Sequence, residues 1–377
     1  MKPLFPRALR TLLALGAVLV PLQAQKWELK YFYDQDKSTL IFTDIQFPSA
    51  QRGVAVGNVI EGRRQDPVSL VTSDGGETWE RLPLKETPLS LFFLNETAGW
   101  LVTTKGLWKT SEAGKNWTKL PKVPADILRV YFVDEDNGWA VGTKKTVLEI
   151  YDGAKTWKLV LAAAEPPGNR DYSAYTWIAF ATPRFGLISG WNIPPRRWDN
   201  DLPDWMDPAS ALYRADLPHL SYTVRTNDGG KTWTSNSASL FGEVARVRFN
   251  PDGKGLGLAV YSQAFRYPSE VYRIDWHTGK SLAIYKDSKF AVSDIWLAAD
   301  GTAYLAGTVS HARLRDVIPG KVQVLMSRDY QTWTPVPVDY RAEARKLTLA
   351  AVDPQHMWIA TDSGMILKLK LAPHPAN

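Results

Sequence analysis

Residues 72–79 read Thr-Ser-Asp-Gly-Gly-Glu-Thr-Trp, a polar turn that runs directly into a tryptophan. Residues 226–233, Thr-Asn-Asp-Gly-Gly-Lys-Thr-Trp, repeat this turn almost unchanged. Weaker copies end at Trp117, Trp157 and Trp333. A unit that recurs with a period of about 40 residues is typical of propellers and solenoids. The repeat therefore indicates the architecture before any catalytic chemistry is considered.

A second marker precedes these turns: a phenylalanine that ends an alternating apolar segment, followed six residues later by a glycine. The pairs are Phe47/Gly53, Phe93/Gly99, Phe132/Gly138, Phe180/Gly186 and Phe249/Gly255. Degenerate versions begin at Leu297, before Ala303, and at Ala351, before Trp358. The markers together predict seven units.

Each full unit reads as four strands. In the third unit, alternating or apolar segments at 128–133, 139–142, 146–151 and 156–161 are separated by Asp, Asn and Gly turns. Such alternation indicates antiparallel strands. Four-stranded units repeated about seven times are the blades of a β-propeller. The predicted fold is therefore all-β: a seven-bladed β-propeller of four-stranded antiparallel blades.

Two irregularities in the spacing have structural interpretations. Only one marker pair lies between Trp157 and Trp233, so we predict one blade with an insertion at about 192–220 rather than two blades. Two markers lie between Trp233 and Trp333, so the blade around residues 271–284 is expected to lack its tryptophan.

The last unit is one strand short. Its strands are predicted near 346–352, 357–361 and 365–371, whereas Lys26-Trp27-Glu28-Leu29 resembles the outer strand at 78–82. We therefore predict that residues 25–33 close the ring as the outer strand of the final blade.

We interpret the repeated turn as a structural device. Its Asp can accept backbone N–H bonds, its Gly supplies positive φ, and its Trp buries a large ring. The copies depart from the consensus at different positions: one has Glu112 in place of Asp, and another has Ala154 in place of Gly. This tolerance is more typical of structural than of catalytic residues. The residues assigned to the structural set are Asp74, Trp79, Trp117, Asp152, Trp157, Asp228, Trp233 and Trp333.

The turn Ser/Thr-x-Asp-x-Gly-x-Thr-Trp resembles the Asp-box, or bacterial neuraminidase repeat. The unit at 130–142, Val-Tyr-Phe-Val-Asp-Glu-Asp-Asn-Gly-Trp-Ala-Val-Gly, resembles the photosystem II stability and assembly factor family of seven-bladed propellers. The resemblance covers about residues 25–371. It implies a non-enzymatic scaffold that binds a membrane-protein partner or its precursor. A homologous scaffold that serves another protein partner fits equally well, and the lipidated cysteine of many photosynthetic bacterial members is missing.

The first 24 residues have the pattern of a secretory signal peptide. A basic region with Lys2, Arg7 and Arg10 precedes an apolar stretch at 11–20 and the cleavage-site sequence Leu22-Gln23-Ala24. The apolar stretch is too short for a comfortable membrane span. We expect an exported, monomeric protein, periplasmic or extracellular, with one propeller domain at 25–377.

Composition narrows the function classes. The formal net charge of +6 includes the three cations of the signal peptide, so the remaining chain carries +3, which makes no case for nucleic acid. The chain has no cysteine, which excludes disulfides and thiolate metal sites. Its five histidines show no paired-ligand spacing. We predict no metal and no cofactor.

The topology of a four-stranded blade predicts where a functional surface lies. Turns after strands one and three share one face, and connections after strands two and four share the other. The longest insertions are predicted after strand two, at 60–66, 192–220, 262–268 and 310–320. Arginine with aromatic residues is enriched in protein interfaces. The predicted partner-binding residues are Arg63, Arg64, Arg196, Arg197, Trp198, Arg266, Arg313 and Arg315. The alternative is that long polar loops collect arginine because it is soluble.

The large insertion also carries a cluster of carboxylates. Its members are Asp199, Asp201, Asp204 and Asp207. Clustered carboxylates can bind calcium, but EF-hand spacing is missing. A solvated acidic loop, paired with Arg196 and Arg197, is the favoured interpretation.

The repeated turn also suggests a sialidase. Sialidases are expected to hold the substrate carboxylate with three arginines and to use a Tyr/Glu nucleophile pair. The first of those arginines belongs to an Arg-Ile-Pro-type segment in the first blade, but residues 44–48 read Asp-Ile-Gln-Phe-Pro. We therefore predict a non-enzymatic protein. A sialidase-like or other two-carboxylate glycoside hydrolase, or a carbohydrate-binding propeller, is the alternative.

Overall fold

The computed structural model describes residues 25–195, 218–250, 252–261, 267–276, 280–309 and 320–371. Within these ranges the strands form seven sheets, six of four strands and one of five. The predicted all-β, seven-bladed propeller is thereby confirmed. The predicted signal peptide and residues 196–217 of the predicted insertion lie outside the described residues. Among the residues that are described, no helix has the length and apolar character to cross a membrane.

The first four blades each consist of four consecutive antiparallel strands. Blade 1 is β2 (Thr39–Gln46), β3 (Gly53–Glu61), β4 (Arg64–Thr72) and β5 (Glu80–Pro83). Blade 2 is β6 (Pro88–Phe93), β7 (Gly99–Thr103), β8 (Gly106–Thr110) and β9 (Thr118–Lys119). Blade 3 is β10 (Ile127–Phe132), β11 (Gly138–Gly142), β12 (Val147–Tyr151) and β13 (Thr156–Leu159). Blade 4 is β14 (Ser173–Phe180), β15 (Gly186–Asn192), β16 (His219–Thr226) and β17 (Thr234–Leu240), and 3-10 helices at Leu161–Ala164 and Arg170–Tyr172 precede it.

The remaining three blades complete the ring. Blade 5 is β18 (Gly242–Phe249), β19 (Lys254–Tyr261), β20 (Ser269–Asp275) and β21 (Lys280–Lys286). Blade 6 is β22 (Phe290–Leu297), β23 (Ala303–Val309), β24 (Gly320–Ser327) and β25 (Thr334–Val336), and β26 (Glu343–Ala344) also pairs with β24. Blade 7 is β27 (Leu347–Asp353), β28 (His356–Thr361), β29 (Met365–Leu371) and β1 (Gln25–Phe32).

The N-terminal strand closes the ring, as predicted. β1 pairs antiparallel with β29, so that Trp27 lies opposite Leu369. The Trp27 side chain is fully buried in the core of blades 6 and 7. Its backbone also reaches blade 6: Trp27 N donates to Pro337 O at 2.8 Å, and Trp27 O accepts from Asp339 N at 2.9 Å. The first strand therefore ties two blades together.

The Phe/Gly marker is a shared packing volume. The two residues of a pair lie opposite each other on the first two strands of a blade, as at Phe93 and Gly99. The Phe93 ring lies so close to Gly99 that a Cβ there would come within 2.6 Å of it. In blades 6 and 7 the same cross-strand positions hold Leu297 with Ala303 and Ala351 with Met357. Where the first residue is smaller the second is larger, since a close-packed interior leaves room for only one bulky side chain.

The phenyl ring of the marker phenylalanine also packs against a tryptophan of the neighbouring blade. Phe47 stacks on Trp358 of blade 7 with centroids 3.4 Å apart, and Phe132 stacks on Trp100 of blade 2 at 3.8 Å. Phe47 also makes a perpendicular contact with Trp79, the tryptophan of the repeated turn, with centroids 5.8 Å apart. Stacked and edge-on contacts of this kind stabilise by more than their buried area alone.

Blade 5 corrects one expectation. As predicted, it has no tryptophan at the start of its outer strand, β21. However, Trp276, directly after β20, packs edge-on against Phe249 with centroids 5.4 Å apart. This is the contact that Trp79 makes with Phe47 in blade 1. The tryptophan is displaced along the chain rather than lost.

Candidate functional site

The repeated turns lie between the third and fourth strands of their blades. In the turn at 226–233, Thr232 N donates to Asp228 Oδ1 at 2.9 Å, and Thr232 Oγ1 donates to Asp228 Oδ2 at 2.6 Å. These bonds from Thr232, with another from Thr226, lower the pKa of Asp228 to about 2. The turn at 72–79 has the same bonds at Asp74. Both carboxylates are engaged within their own turns, which agrees with the structural interpretation.

Three of the four predicted insertions are flanked by strand ends on the opposite face. The segments between β15 and β16, β19 and β20, and β23 and β24 all connect strand two to strand three of a blade, so they leave the ring on one face. The residues predicted to bind a partner there fall outside the described ranges. They are Arg196, Arg197, Trp198, Arg266, Arg313 and Arg315, and the same is true of Asp199, Asp201, Asp204 and Asp207.

The predicted insertion at 60–66 is wrong. β3 and β4 continue through this segment and pair as far as Glu61 and Arg64, which leaves a two-residue turn at Gly62 and Arg63. Gly62 has φ of 58°, a left-handed conformation that suits glycine in a tight hairpin turn. Arg64 Nε donates to Asp66 Oδ1 at 2.9 Å, and the Arg64 side chain is 70% exposed. Arg63 and Arg64 thus lie at a hairpin tip on the insertion side.

A second group of polar residues lies at the centre of the molecule. The first strand of each blade contacts the first strands of both neighbouring blades, so these seven strands are innermost. In blades 1 to 6 the pairing of this strand slips by one residue at a β-bulge, and the residue after the bulge stands three positions before the marker. We call the seven equivalent residues the inner ring: Asp44, Ser90, Arg129, Trp177, Arg246, Asp294 and Thr348.

The two carboxylates of the inner ring join adjacent blades. Asp44 Oδ1 accepts from Ile45 N at 2.9 Å, and Oδ2 accepts from Leu91 N of blade 2 at 3.0 Å. Asp294 repeats the arrangement with Ile295 N and Leu349 N of blade 7, both at 2.9 Å. Each carboxylate therefore receives two backbone N–H groups before any arginine is considered.

Three guanidinium groups gather around one indole. The carbon centres of the Arg129 and Arg246 guanidiniums lie 4.4 and 4.5 Å from the Trp177 ring centroid, and that of Arg248 lies 5.4 Å from it. Trp177 Nε1 is held by Val247 O at 2.7 Å. Cations over an indole face are attracted by its quadrupole, more strongly where water is excluded.

The carboxylates and arginines pair unevenly. Arg248 Nη2 donates to both oxygens of Asp294, at 3.2 and 3.1 Å, and Arg129 Nη1 lies 3.4 Å from Asp44. Arg246 Nε is 4.0 Å from Asp294, beyond hydrogen-bond reach. Within the described part of the chain, the buried Nε atoms of Arg246 and Arg248 have no hydrogen-bond partner.

Burial and the nearby cations perturb two groups of this cluster. Burial lowers the pKa of Arg129 and the Arg246 and Arg248 guanidiniums lower it further, but arginine stays protonated in proteins. Burial raises the pKa of Glu243 although Arg246 and Lys346 favour its ionised form.

Sequence reasoning overlooked the inner ring because its members lie inside apolar strands. A usable signal exists nevertheless. The position three residues before each marker is polar, charged or aromatic in every blade, between neighbours that are mostly aliphatic. The loop arginines were the more obvious feature because they interrupt the repeat.

The inward arginines bear on the sialidase alternative. A Tyr/Glu pair, the type that sialidases use as nucleophile, exists in blade 5. There Tyr272 and Tyr261 donate to Glu270 Oε2 at 2.6 and 2.8 Å. It lies on β19 and β20, whereas the arginines lie on the first strands and contact Trp177, Asp44 and Asp294. Among the residues described, no group of three or more His, Cys, Asp or Glu side chains could hold a metal ion.

Comparison with known proteins supports the architecture. No family model and no curated protein sequence matches the chain. The solved structure of YCF48, a photosystem II assembly factor, bound to a D1 peptide is similar over 92% of this chain and 97% of its own, with a TM-score of 0.59 and 16% identity. YCF48 from Cyanidioschyzon merolae matches over 93% and 99%, with a TM-score of 0.58 and 15% identity. An oligogalacturonate lyase in complex with manganese also matches, over 93% and 98%, with a TM-score of 0.50 and 11% identity. At these identities the likeness establishes the fold.

Proposed function

We propose that this chain is a non-enzymatic scaffold that binds a protein partner on its insertion face. The observation that carries the proposal is the topology of the blades. The three long connections, β15 to β16, β19 to β20 and β23 to β24, all join strand two of a blade to strand three, so they start and end on the same face of the propeller. The repeated turns, by contrast, engage their polar groups in local hydrogen bonds. Loops displayed by a rigid frame are where binding residues of proteins concentrate.

The comparison with YCF48 supports the class of ligand. A propeller with the same architecture has been solved with a D1 peptide, so a ring of this shape can hold a protein segment. We propose by analogy that the partner is a protein, such as a membrane protein or its precursor. The chain is proposed to act as a monomer after export, in the periplasm or outside the cell. The predicted binding residues are Arg63, Arg64, Arg196, Arg197, Trp198, Arg266, Arg313 and Arg315.

Charge reversal on the insertion face tests this proposal. The double variant Arg196→Glu/Arg197→Glu is compared with Arg184→Glu, which lies in a strand-one-to-two turn on the opposite face and is exposed. Both proteins and the parent are used to capture partners from solubilised membranes of the native host. We expect the double variant to lose the captured protein and the control to retain it. Equal recovery by the double variant and the parent would count against this face.

The glycoside hydrolase alternative has one observation in its favour, the three inward arginines. A sialidase would hydrolyse 4-methylumbelliferyl sialic acid, and Arg129→Gln would abolish that activity. We expect no hydrolysis by the parent protein, because the two tyrosines donate to Glu270 in blade 5 while the arginines contact Trp177, Asp44 and Asp294. Turnover that depends on Arg129 would replace the scaffold proposal with the enzymatic one.

A further inference from the structure

We propose that the inner ring contains a binding site for one carboxylate group, held by Arg246 and Arg248 beside Trp177. The inference goes beyond the proposed protein-binding face, because a free organic acid would fill the site as well as the carboxylate of a peptide. It depends on the charge of these arginines and on the exposure of their side chains.

The charge of the cluster is unbalanced. Arg129, Arg246 and Arg248 face only two ring carboxylates, Asp44 and Asp294. Beyond them, Glu243 interacts with Arg246 and also with Lys346, so this further anion has a further cation beside it and the two charges cancel. One positive charge therefore remains within a largely buried cluster. An uncompensated buried charge is costly unless a counter-charge accompanies it.

The donors that remain are suited to a carboxylate. The Nε atoms of Arg246 and Arg248 are buried without a partner within the described residues, so a ligand would have to meet the terminal nitrogens of these side chains. The nearest carboxylate contact of Arg246 is 4.0 Å long. Guanidinium groups present paired N–H donors that match the two oxygens of a carboxylate. The side chains of Arg246 and Arg248 are 25% and 26% exposed, so a small group can reach them.

The same charges select against a doubly charged phosphate. A monoanionic carboxylate balances the excess of one positive charge, whereas a phosphate dianion would leave the cluster negative. The carboxylates of Asp44 and Asp294 are fixed by backbone N–H bonds and cannot move away from a second negative charge. Like charges held close together disfavour binding.

The test uses the full chain and three probes at low ionic strength and pH 7. The probes are acetate, the peptide N-acetyl-Ala-Ala with a free C-terminal carboxylate, and the same peptide amidated. Binding is measured by ligand-observed NMR titration. Arg246→Gln removes one positive charge and a charge-assisted hydrogen bond to the ligand, so affinity should fall about 10-fold or more. Arg184→Gln, a matched change at an exposed position on the periphery, should bind as the parent does.

Each outcome decides for or against the site. Binding of acetate alone indicates a free small acid as the natural ligand class, and binding of the peptide acid alone indicates a chain terminus. Binding of neither acid, equal binding of the amide, or unchanged affinity in Arg246→Gln overturns the proposal. If Arg246→Gln does not fold, Arg246→Lys is used instead. It keeps the positive charge but lacks the paired N–H donors of the guanidinium group, and it should bind more weakly than the parent. Because no protein partner is used, the result is independent of the capture experiment.

Discussion

The closing strand allows a quantitative prediction. Trp27→Ala truncates a side chain that is fully buried between β29 and blade 6, while it leaves the backbone bonds to Pro337 and Asp339 in place. Truncation of a buried Trp to Ala typically costs about 3–5 kcal/mol. With an unfolding entropy of about 2.1 cal/mol/K per residue over about 350 residues, the melting temperature should fall by roughly 4–7 °C.

The assay is differential scanning calorimetry, since loss of a tryptophan would alter fluorescence. Phe32→Ala is the matched control: it removes an aromatic ring from the same strand, but that ring is 48% exposed. Surface substitutions usually change stability by about 0.5 kcal/mol or less, so its melting temperature should shift by about 1 °C at most. A shift in Trp27→Ala no larger than that of Phe32→Ala would refute the closure argument. Deletion of residues 25–33 should lower the melting temperature further.

Three further changes test the packing and the charges. Leu297→Phe should cost about 1–3 kcal/mol because the larger ring meets Ala303 across the strands. Addition of Ala303→Gly should restore part of that loss, and a coupling energy below about 0.5 kcal/mol in urea unfolding contradicts the shared-volume explanation. Asp294→Ala removes a fully buried carboxylate, which leaves Arg248 and two backbone N–H groups without their acceptor, and it should cost about 3–5 kcal/mol, against about 1 kcal/mol or less for Asp66→Ala at an exposed pair; equal losses in urea would show that burial is not the cause. The pKa of Asp228 is lowered from 3.8 to about 2 in the folded protein. The ionised carboxylate therefore stabilises the fold fully above the unfolded-state pKa, and this stabilisation is lost as the pH falls toward the folded-state pKa. Asp228→Asn should therefore flatten the dependence of stability on pH between about 4 and 2, and an acid limb identical to that of the parent would exclude this carboxylate as its source.

The architecture was predictable because its signals are local and repeated. The spacing of Phe132 and Gly138 within one unit reports a cross-strand contact, and the same spacing recurs in five blades. The closing strand was predictable for the same reason, since residues 26–29 copy the outer strand of another unit. Errors arose where one copy departs from the pattern. The hairpin at Gly62 lengthens two strands instead of forming a loop, and Trp276 reaches its contact from a different point of the chain.

The central cluster was not predictable in the same way. Arg129, Trp177 and Arg246 lie on three different blades, and they meet only because the ring brings their first strands together. A single strand shows only that one polar residue interrupts an apolar segment. Which charges meet, and which remain unpaired, depends on contacts between residues more than one hundred positions apart, such as Arg248 with Leu349 O. The loops that attracted attention in the sequence lie mostly outside the described residues.

The pairing of β1 with β29 also has a consequence for the order of folding. Gln25 lies opposite Leu371, so the two partners of the last sheet stand at opposite ends of the propeller sequence. A ribosome adds about 5–20 residues per second, so the first strand waits on the order of tens of seconds for its partner. During that interval Trp27 has no finished core to enter, and blade 7 has only the strands already synthesised. Closure of the ring needs both ends of the propeller sequence, so it is the step that a missing terminus would prevent.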